Sequence, residues 1–284
     1  MTLTDHPSFT AGDLLSRRYA VEGTGSVPSD ALPDEAWTDV IRLQLAHRSV
    51  REFSDRPVDA DVLTTVFAAA QSAPTSSNLQ PWSVVVVRDP TRKGGLATLA
   101  GDQQFSRDAA VFLVWVVDLA RTDLIAAERG RRLDGSDYLD PALVGFVDAA
   151  LAAQNASLAA ESLGLGTVFV GAVRNRPDEI ADELALPPRT IPIFGLAIGY
   201  PAPSGGRPKP RLPQSAVFHQ ERYDVDAQLP AVHDYERTMA RFYADEGLTV
   251  SWISRVLTRL ANAGSLKGRE RLRETFVRRG LPMR

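Results

Sequence analysis

The 284 residues are 44% hydrophobic and 24% charged with a formal net charge of -3, which suits a globular fold and gives no general reason to expect a nucleic-acid or membrane-surface partner. The absence of cysteine excludes disulfides, thiolate metal sites and cysteine nucleophiles. The opening Met1-Thr2-Leu3-Thr4-Asp5 lacks the basic and apolar regions of a signal peptide, and no run reads as reaching the roughly 20 apolar residues of a membrane span, so a cytoplasmic location is expected.

Residues 1–36 read as an arm laid on the surface, with one helical pattern over 13–19 and a Gly-, Ser- and Pro-rich loop over 23–33. Residues 37–46 form an amphipathic pattern through Val40, Ile41 and Leu45, which runs into His47-Arg48-Ser49-Val50-Arg51. This motif crowds forked guanidinium donors, a hydroxyl and an imidazole into five positions, as an anion or the polar edge of a heterocycle requires. Alone it reads equally as a solvated helix end whose cations complement the macrodipole.

A helix is expected from Asp59 as N-cap to Ser72, with Val62, Leu63, Val66, Phe67 and Ala70 as its apolar stripe. The donor-rich loop Ala73-Pro74-Thr75-Ser76-Ser77-Asn78-Leu79-Gln80-Pro81-Trp82 follows, and it reads either as a pocket wall or as an ordinary turn. The strand pattern at 83–87 is a continuous β-branched run, which suggests burial on both faces. A short helix over 95–99, a polar turn Gly101-Asp102-Gln103-Gln104 and a second buried strand over 111–117 come next.

Residues 119–140 are charged and carry Arg129, Arg131 and Arg132, so they read as a mobile surface excursion rather than a core element. The helix over 141–163 is apolar nearly all round, which requires burial by its own domain or by a partner subunit. Gly164 and Gly166 stop it before the strand Thr167-Val168-Phe169-Val170, which runs into Gly171-Ala172, small enough for a flat ligand to approach the backbone. A helix over 178–186 and a last core strand over 192–200 lead to Lys209-Pro210-Arg211-Leu212-Pro213, where proline holds the cations on an extended backbone at little entropic cost. From His219 the chain is helical and polar, with amphipathic patterns over 231–246, 250–261 and 269–279 and too few apolar residues for a core of its own.

Hydrolytic motifs are absent: there is no GxSxG elbow and no HExxH, and only four histidines are present. Gly164-Leu165-Gly166 lacks the third glycine of a dinucleotide fingerprint and follows a helix rather than a strand. What remains is a set of donors with no nucleophile, suited to holding an anionic planar cofactor that does the chemistry itself.

In that order, HRSxR, APTSSNLQPW, the long apolar helix, FVG and KPRLP resemble the FMN-dependent nitroreductase family, closest to its branch of oxygen-insensitive NADPH nitroreductases and flavin reductases. The resemblance implies an α+β three-layer sandwich with a central mixed sheet flanked by helices, in an intertwined homodimer. Its parts would be an arm over 1–36, an FMN-binding core over 37–223 and a helical extension over 224–284 wrapping the partner. It implies that His47, Arg48, Ser49 and Arg51 contact FMN, with Arg48 and Ser49 at the phosphate end and Arg51 at the pyrimidine side. Ser76, Ser77 and Asn78 would come from the other subunit, Gln103 would meet the ring's polar edge, and Val170, Gly171 and Ala172 would lie against the flavin. Lys209 and Arg211 would complete the phosphate and ring contacts.

Flavin N5 would carry the chemistry, with no catalytic side chain and no metal. NADPH or NADH would deliver hydride and leave before a nitroaromatic, quinone or free flavin took its place, in a ping-pong order. A specialised flavoenzyme of the same fold, such as a biosynthetic dehydrogenase or a dehalogenase, and a non-catalytic FMN-binding protein are the alternatives. One departure concerns the nucleotide: where this branch carries basic residues for the 2′-phosphate of NADPH, the chain reads Ala244-Asp245-Glu246-Gly247-Leu248-Thr249. Weaker discrimination against NADH is therefore expected, unless Arg255, Arg259 or the arginines of the 119–140 excursion supply the charge.

Overall fold

In the computed structural model, which describes residues 10–19, 33, 36–203 and 206–284, the chain divides into two compact units. One comprises the described residues of Ser49–Ser204 and Leu266–Arg284, the other those of Thr4–Arg48 and Gly205–Ser265. In chain order the helices are α1 (Ala11–Tyr19), α2 (Asp39–Ala46), α3 (Ala60–Gln71), α4 (Pro90–Leu99), α5 (Gln104–Asp108), α6 (Ala120–Glu128), α7 (Leu139–Ser162), α8 (Pro177–Glu183), α9 (Gln228–Asp245), α10 (Trp252–Leu260) and α11 (Leu272–Arg278). The strands are β1 (Trp82–Val87), β2 (Val111–Asp118), β3 (Gly166–Val170) and β4 (Thr190–Gly199).

All four strands lie in the first unit and pair antiparallel in the order β1-β2-β4-β3. The sheet is thus antiparallel where a mixed one was expected; the parallel pairing among the described residues is the isolated bridge Ser49 to Thr167, outside the four strands. Between Trp115 and Val116 the register of β2 against β4 shifts, so that the partner steps from Phe194 to Pro192. A proline cannot donate to the ladder, and the irregularity accommodates it.

Alternation along β2 builds the three layers. Val111, Leu113, Trp115 and Val117 pack with α3 and α7 on one face. Phe112 and Val114 pack with Leu96 of α4 and Ile180 of α8 on the other. β2 and β4 are buried almost throughout, whereas β1 is half-exposed, which corrects the expectation of burial on both its faces. The reason is position: β1 is an edge strand, and a β-branched run cannot report whether its second neighbour exists.

The long helix α7 buries Ala149, Ala152, Ala153, Ala156 and Ala160 completely in the cluster it shares with α3 and the sheet. A Cβ at Gly145 would stand 2.7 Å from Val117 Cγ1, so the helix approaches β2 closely only because that position is glycine. By length and composition α7 does suffice to cross a membrane, which corrects the expectation that no run does, but its alanine face is core packing. Its other side is not buried by its own chain: Leu139, Leu143, Val147 and Leu151, spaced four apart, are between 40% and 56% exposed. Gly164 at φ +79° ends the helix, with the Leu165 N–H donating to the Ala160 carbonyl (3.0 Å).

The 119–140 excursion is ordered by α6 and a 3-10 turn over Asp134–Asp137, and Leu119 and Ala126 are buried, so it does contribute to the core. Arg189 ties it down, donating to Asp123 Oδ2 (2.9 Å), Asp137 Oδ1 (3.2 Å), Ser136 Oγ (2.6 Å) and the Gly280 carbonyl. α11 belongs to the same unit through Phe276, whose ring stacks 5.7 Å from that of Phe146.

The second unit has its own apolar centre in Tyr235, Met239 and Tyr243 of α9, packed with Leu212 and Trp252. The C-terminal helices thus hold more core than their composition suggests. α1 buries Leu14, Leu15 and Arg18 on one face, so the 13–19 pattern is packed rather than merely laid on a surface.

Candidate functional site

α2 ends at Ala46 and the chain continues extended, so the HRSVR motif lies beyond the helix and not on it. In the first unit the segment from Ser49 is sewn to the sheet edge by backbone hydrogen bonds. The Val50 N–H donates to Thr167 O, the Ser54 N–H to Tyr200 O and the Ala202 N–H to Glu52 O, each at 2.9 Å. Val50 turns inward and is buried, while Ser49 and Arg51 are exposed, as alternation demands. The close approach depends on Gly166, where a Cβ would stand 2.6 Å from Val50 Cγ2. The Arg51 guanidinium lies 5.9 Å from the centre of the Phe105 ring.

β3 delivers Val170 into a 3-10 turn, Gly171–Asn175. Here Gly101, at φ +81°, would place a Cβ 3.6 Å from Ala172 Cβ and 3.4 Å from Asn175 Nδ2. Gln103 folds back to donate from Nε2 to the Gly101 carbonyl (3.0 Å). Gln103, Ala172 and Asn175 are thereby gathered around one glycine.

The Ser76–Asn78 turn is anchored in a different layer. Asp148 of α7, almost fully buried, accepts from the Thr75 hydroxyl (2.5 Å) and the Ser76 N–H (3.2 Å). Thr75 Oγ1 in turn accepts from the Gln80 N–H (3.0 Å). Ser77, Asn78 and Gln80 all carry positive φ (51°, 55° and 52°), a strained arrangement for non-glycine residues that keeps residues 76–80 turned outward.

In the second unit one buried side chain does the organising. Arg18, 6% exposed, donates to the carbonyls of Leu45 (2.6 Å), His47 (2.7 Å) and Lys209 (3.1 Å), and its own carbonyl accepts from the Arg211 N–H (2.8 Å). The Tyr235 hydroxyl, its pKa pushed up by burial, caps the Pro210 carbonyl (2.9 Å). Arg48 lies against Gly206, where a Cβ would stand 2.9 Å from Nη1. Lys209 Nζ sits 5.5 Å from the centre of the Tyr243 ring, and Arg211 Nη1 donates to the Lys209 carbonyl (2.9 Å). Arg207 bridges Asp245 (2.8 Å) and Glu246 (2.9 Å).

The sequence pattern of the nitroreductase family matches residues 45–200, and that of the family's C-terminal domain matches 209–284. The chain belongs to the nitroreductase family. It is 39% identical to a Bacillus subtilis FMN reductase (NADPH) over 73% of its own length and 84% of that protein's. It is 36% identical to a Vibrio harveyi NADPH-flavin oxidoreductase, over 72% and 83% respectively. Among solved structures it superposes on B. megaterium NfrA2 with a TM-score of 0.83 at 33% identity, covering 87% of this chain and all of that one. On the NADPH:FMN oxidoreductase from Vibrio harveyi complexed with NAD+ the TM-score is 0.79, at 33% identity with the same coverage.

Within this nitroreductase-family chain, the residues singled out by sequence fall into three anchored groups. Ser49 and Arg51 lie along β3, and Gln103 stands beside Gly101, as does Ala172 of the turn that Val170 and Gly171 enter. His47, Arg48, Lys209 and Arg211 belong to the unit that Arg18 organises, and Ser76, Ser77 and Asn78 stand on α7 through Asp148. Sequence reasoning missed Arg18, Asp148 and Asn175. Two of these carried a signal: Arg18 lies one helical turn from Leu14, on α1's apolar face, and Asp148 is a lone carboxylate in an otherwise alanine-rich stretch.

Proposed function

We propose that the chain is an FMN-dependent NAD(P)H oxidoreductase that reduces free flavin, nitroaromatics or quinones in a ping-pong order. The carrying observation is that the segment bearing exposed Ser49 and Arg51 is bonded through Val50 to Thr167 of β3, the strand that leads to Gly171-Ala172, while Gln103 and Ala172 both lie beside Gly101. A planar, anionic isoalloxazine and its phosphate fit such a set: charge-assisted donors for oxygens, and small residues where a flat ring must approach backbone. Bound FMN supplies hydride transfer between the nicotinamide and the acceptor. His47, Arg48, Ser49, Arg51, Gln103, Val170, Gly171, Ala172, Lys209 and Arg211 are the residues that would hold it. Their work is to bind, to orient the ring and to place positive charge at its pyrimidine edge.

Ser76, Ser77 and Asn78 are proposed to serve the site of a second subunit. In support, their turn stands on the α7 layer, whereas Gln103 and Ala172 belong with the opposite face of the sheet. The exposed Leu139, Leu143, Val147 and Leu151 stripe also suits a homodimer contact along α7. A cytoplasmic, small-molecule role fits this reading. For the nucleotide, the relatives' names specify NADPH, while among the described residues Asp245 and Glu246 outnumber the cation that pairs them, Arg207. Weaker discrimination between NADPH and NADH follows, and a kcat/KM preference for NADPH of about a hundredfold, some 2.7 kcal/mol, would overturn it.

Titration of the apoprotein with FMN, followed by anaerobic addition of NADH or NADPH, tests the whole reading. Bleaching of the flavin band with either nucleotide, and turnover once a quinone is added, is expected. An apoprotein with no affinity for FMN refutes it. Arg211→Ala should weaken FMN by about 1.5–3 kcal/mol, the range for hydrogen bonds to a charged group, and unchanged affinity would remove Arg211 from the set.

A further inference from the structure

The first unit contains a cavity of about 360 Å³, lined by none of these residues, where the segment after Phe53 meets the start of β2. Its wall includes Arg56, Arg88 and Lys93 together with Asp55 and Asp108. Lys93, on α4, is 7% exposed, and its one hydrogen bond to a described residue goes to the Ala109 carbonyl, so two of the three ammonium donors are left over. Burial pushes its pKa down, against the upward pull of Asp108 and Asp89, and no carboxylate comes within ion-pairing distance of it among the described residues. Arg56 is held with its guanidinium 3.7 Å from the centre of the Tyr200 ring, and Arg88 stands exposed just past the end of β1. Neither arginine makes an ion pair with a described residue. Asp108 is engaged by Gln104 Nε2 (2.7 Å), and Asp89 caps α4 by accepting from the Arg92 N–H (2.8 Å).

A desolvated ammonium with unused donors is costly unless something anionic completes it. Ordinary packing would have placed a carboxylate beside it or an apolar residue in its stead. Instead two further cations line the same space, one pre-oriented by an aromatic face and thereby restricted at little entropic expense. We propose that this cavity is a second ligand site, in which Lys93, Arg56 and Arg88 bind the phosphate group of a small phosphate monoester. Its volume lies at the low end of small-molecule pockets, enough for a phosphate and a short organic body. Phosphate suits the set because a forked guanidinium and a point-like ammonium can share its several oxygens. The two aspartates at the wall set the selectivity, since they disfavour ligands whose negative charge extends beyond the phosphate.

The test is calorimetric titration of the purified protein carrying one equivalent of FMN per chain with no free FMN, so that the flavin phosphate site is filled and the second cavity is not. Inorganic phosphate and ribose 5-phosphate are the two probes, with sodium chloride at matched ionic strength as the control. Saturable binding of at least one probe, weakened about tenfold or more by Lys93→Met and by Arg56→Met/Arg88→Met, is expected, since each removes a charged hydrogen bond. Tighter binding of ribose 5-phosphate identifies a monoester site, and equal affinity identifies inorganic phosphate as the ligand. The arginine pair is exposed, so the double variant carries the test if Lys93→Met does not fold. Heats no larger than those of chloride, or affinities unchanged in a folded variant, would overturn the proposal.

Discussion

Two regions of this molecule fix polar side chains by opposite means. In the first unit Ser49 and Arg51 are held by main chain, through a ladder to Thr167 and Tyr200 that no single side chain can undo. In the second unit His47 and Lys209 are held by one side chain, because the Arg18 guanidinium is what their carbonyls share. A ladder distributes its energy over many small terms, whereas a buried guanidinium concentrates it in one residue. The lesson is about robustness: the first arrangement spreads its hydrogen bonds over main chain that most side-chain changes leave intact, and the second leans on one guanidinium.

The comparison breaks most visibly at Arg18. Arg18→Met should leave the carbonyls of Leu45, His47 and Lys209 short of donors and destabilise the protein by about 3–5 kcal/mol in urea unfolding, at 1–3 kcal/mol per unsatisfied group with partial relief by water. A loss under about 1 kcal/mol would mean that the second unit does not depend on the clamp. In the first unit the comparable weak point is steric. Gly166→Ala drives a Cβ into Val50 and should cost about 1–3 kcal/mol, with part restored by the second change Val50→Ala. Failure of that rescue would show that Gly166 matters for something other than this contact.

The Ser76–Asn78 turn is an intermediate case, held by one carboxylate that accepts twice. Asp148→Asn keeps one acceptor and should cost about 1–2 kcal/mol, with thermal unfolding reporting the stability and an FMN titration reporting whether the turn still presents its donors. The smallest effect belongs to the exposed pairs. Arg207→Ala should change stability by no more than about 1 kcal/mol, and by less still in high salt, because half-exposed ion pairs are screened. A salt-insensitive loss would place Arg207 among the buried organisers with Arg18.

The same contrast governs what could be read from sequence. The periodic elements were legible: β2 and β4, the alanine-rich α7 and the glycine that stops it all follow from pattern and turn chemistry. The motifs were legible as chemistry, since arginine, serine and asparagine announce donors wherever they stand. Edge and centre were not distinguishable, because Val84, Val85 and Val86 read alike whether one neighbour or two lie beside them. Nor was the excursion after β2, whose charged residues serve Arg189 some fifty or more positions away in the chain. Arg18 was hidden for a related reason. Its partners at Leu45, His47 and Lys209 are main-chain carbonyls, which every sequence has everywhere, so no residue type marks those three contacts.

The division of the first unit into Ser49–Ser204 and Leu266–Arg284 bears on how the protein is made. Phe276 and Leu281 belong to the same apolar cluster as β2 and α7, yet they follow the whole of Gly205–Ser265 in the chain. At about 5–20 residues per second, translation of that intervening stretch takes on the order of 3–12 s. Throughout that interval Phe146 has been synthesised without the ring that stacks on it. The nascent sheet therefore waits on the ribosome with an incomplete core, its apolar surface still exposed, while the second unit can close around Tyr235, Met239 and Tyr243 before the first is finished.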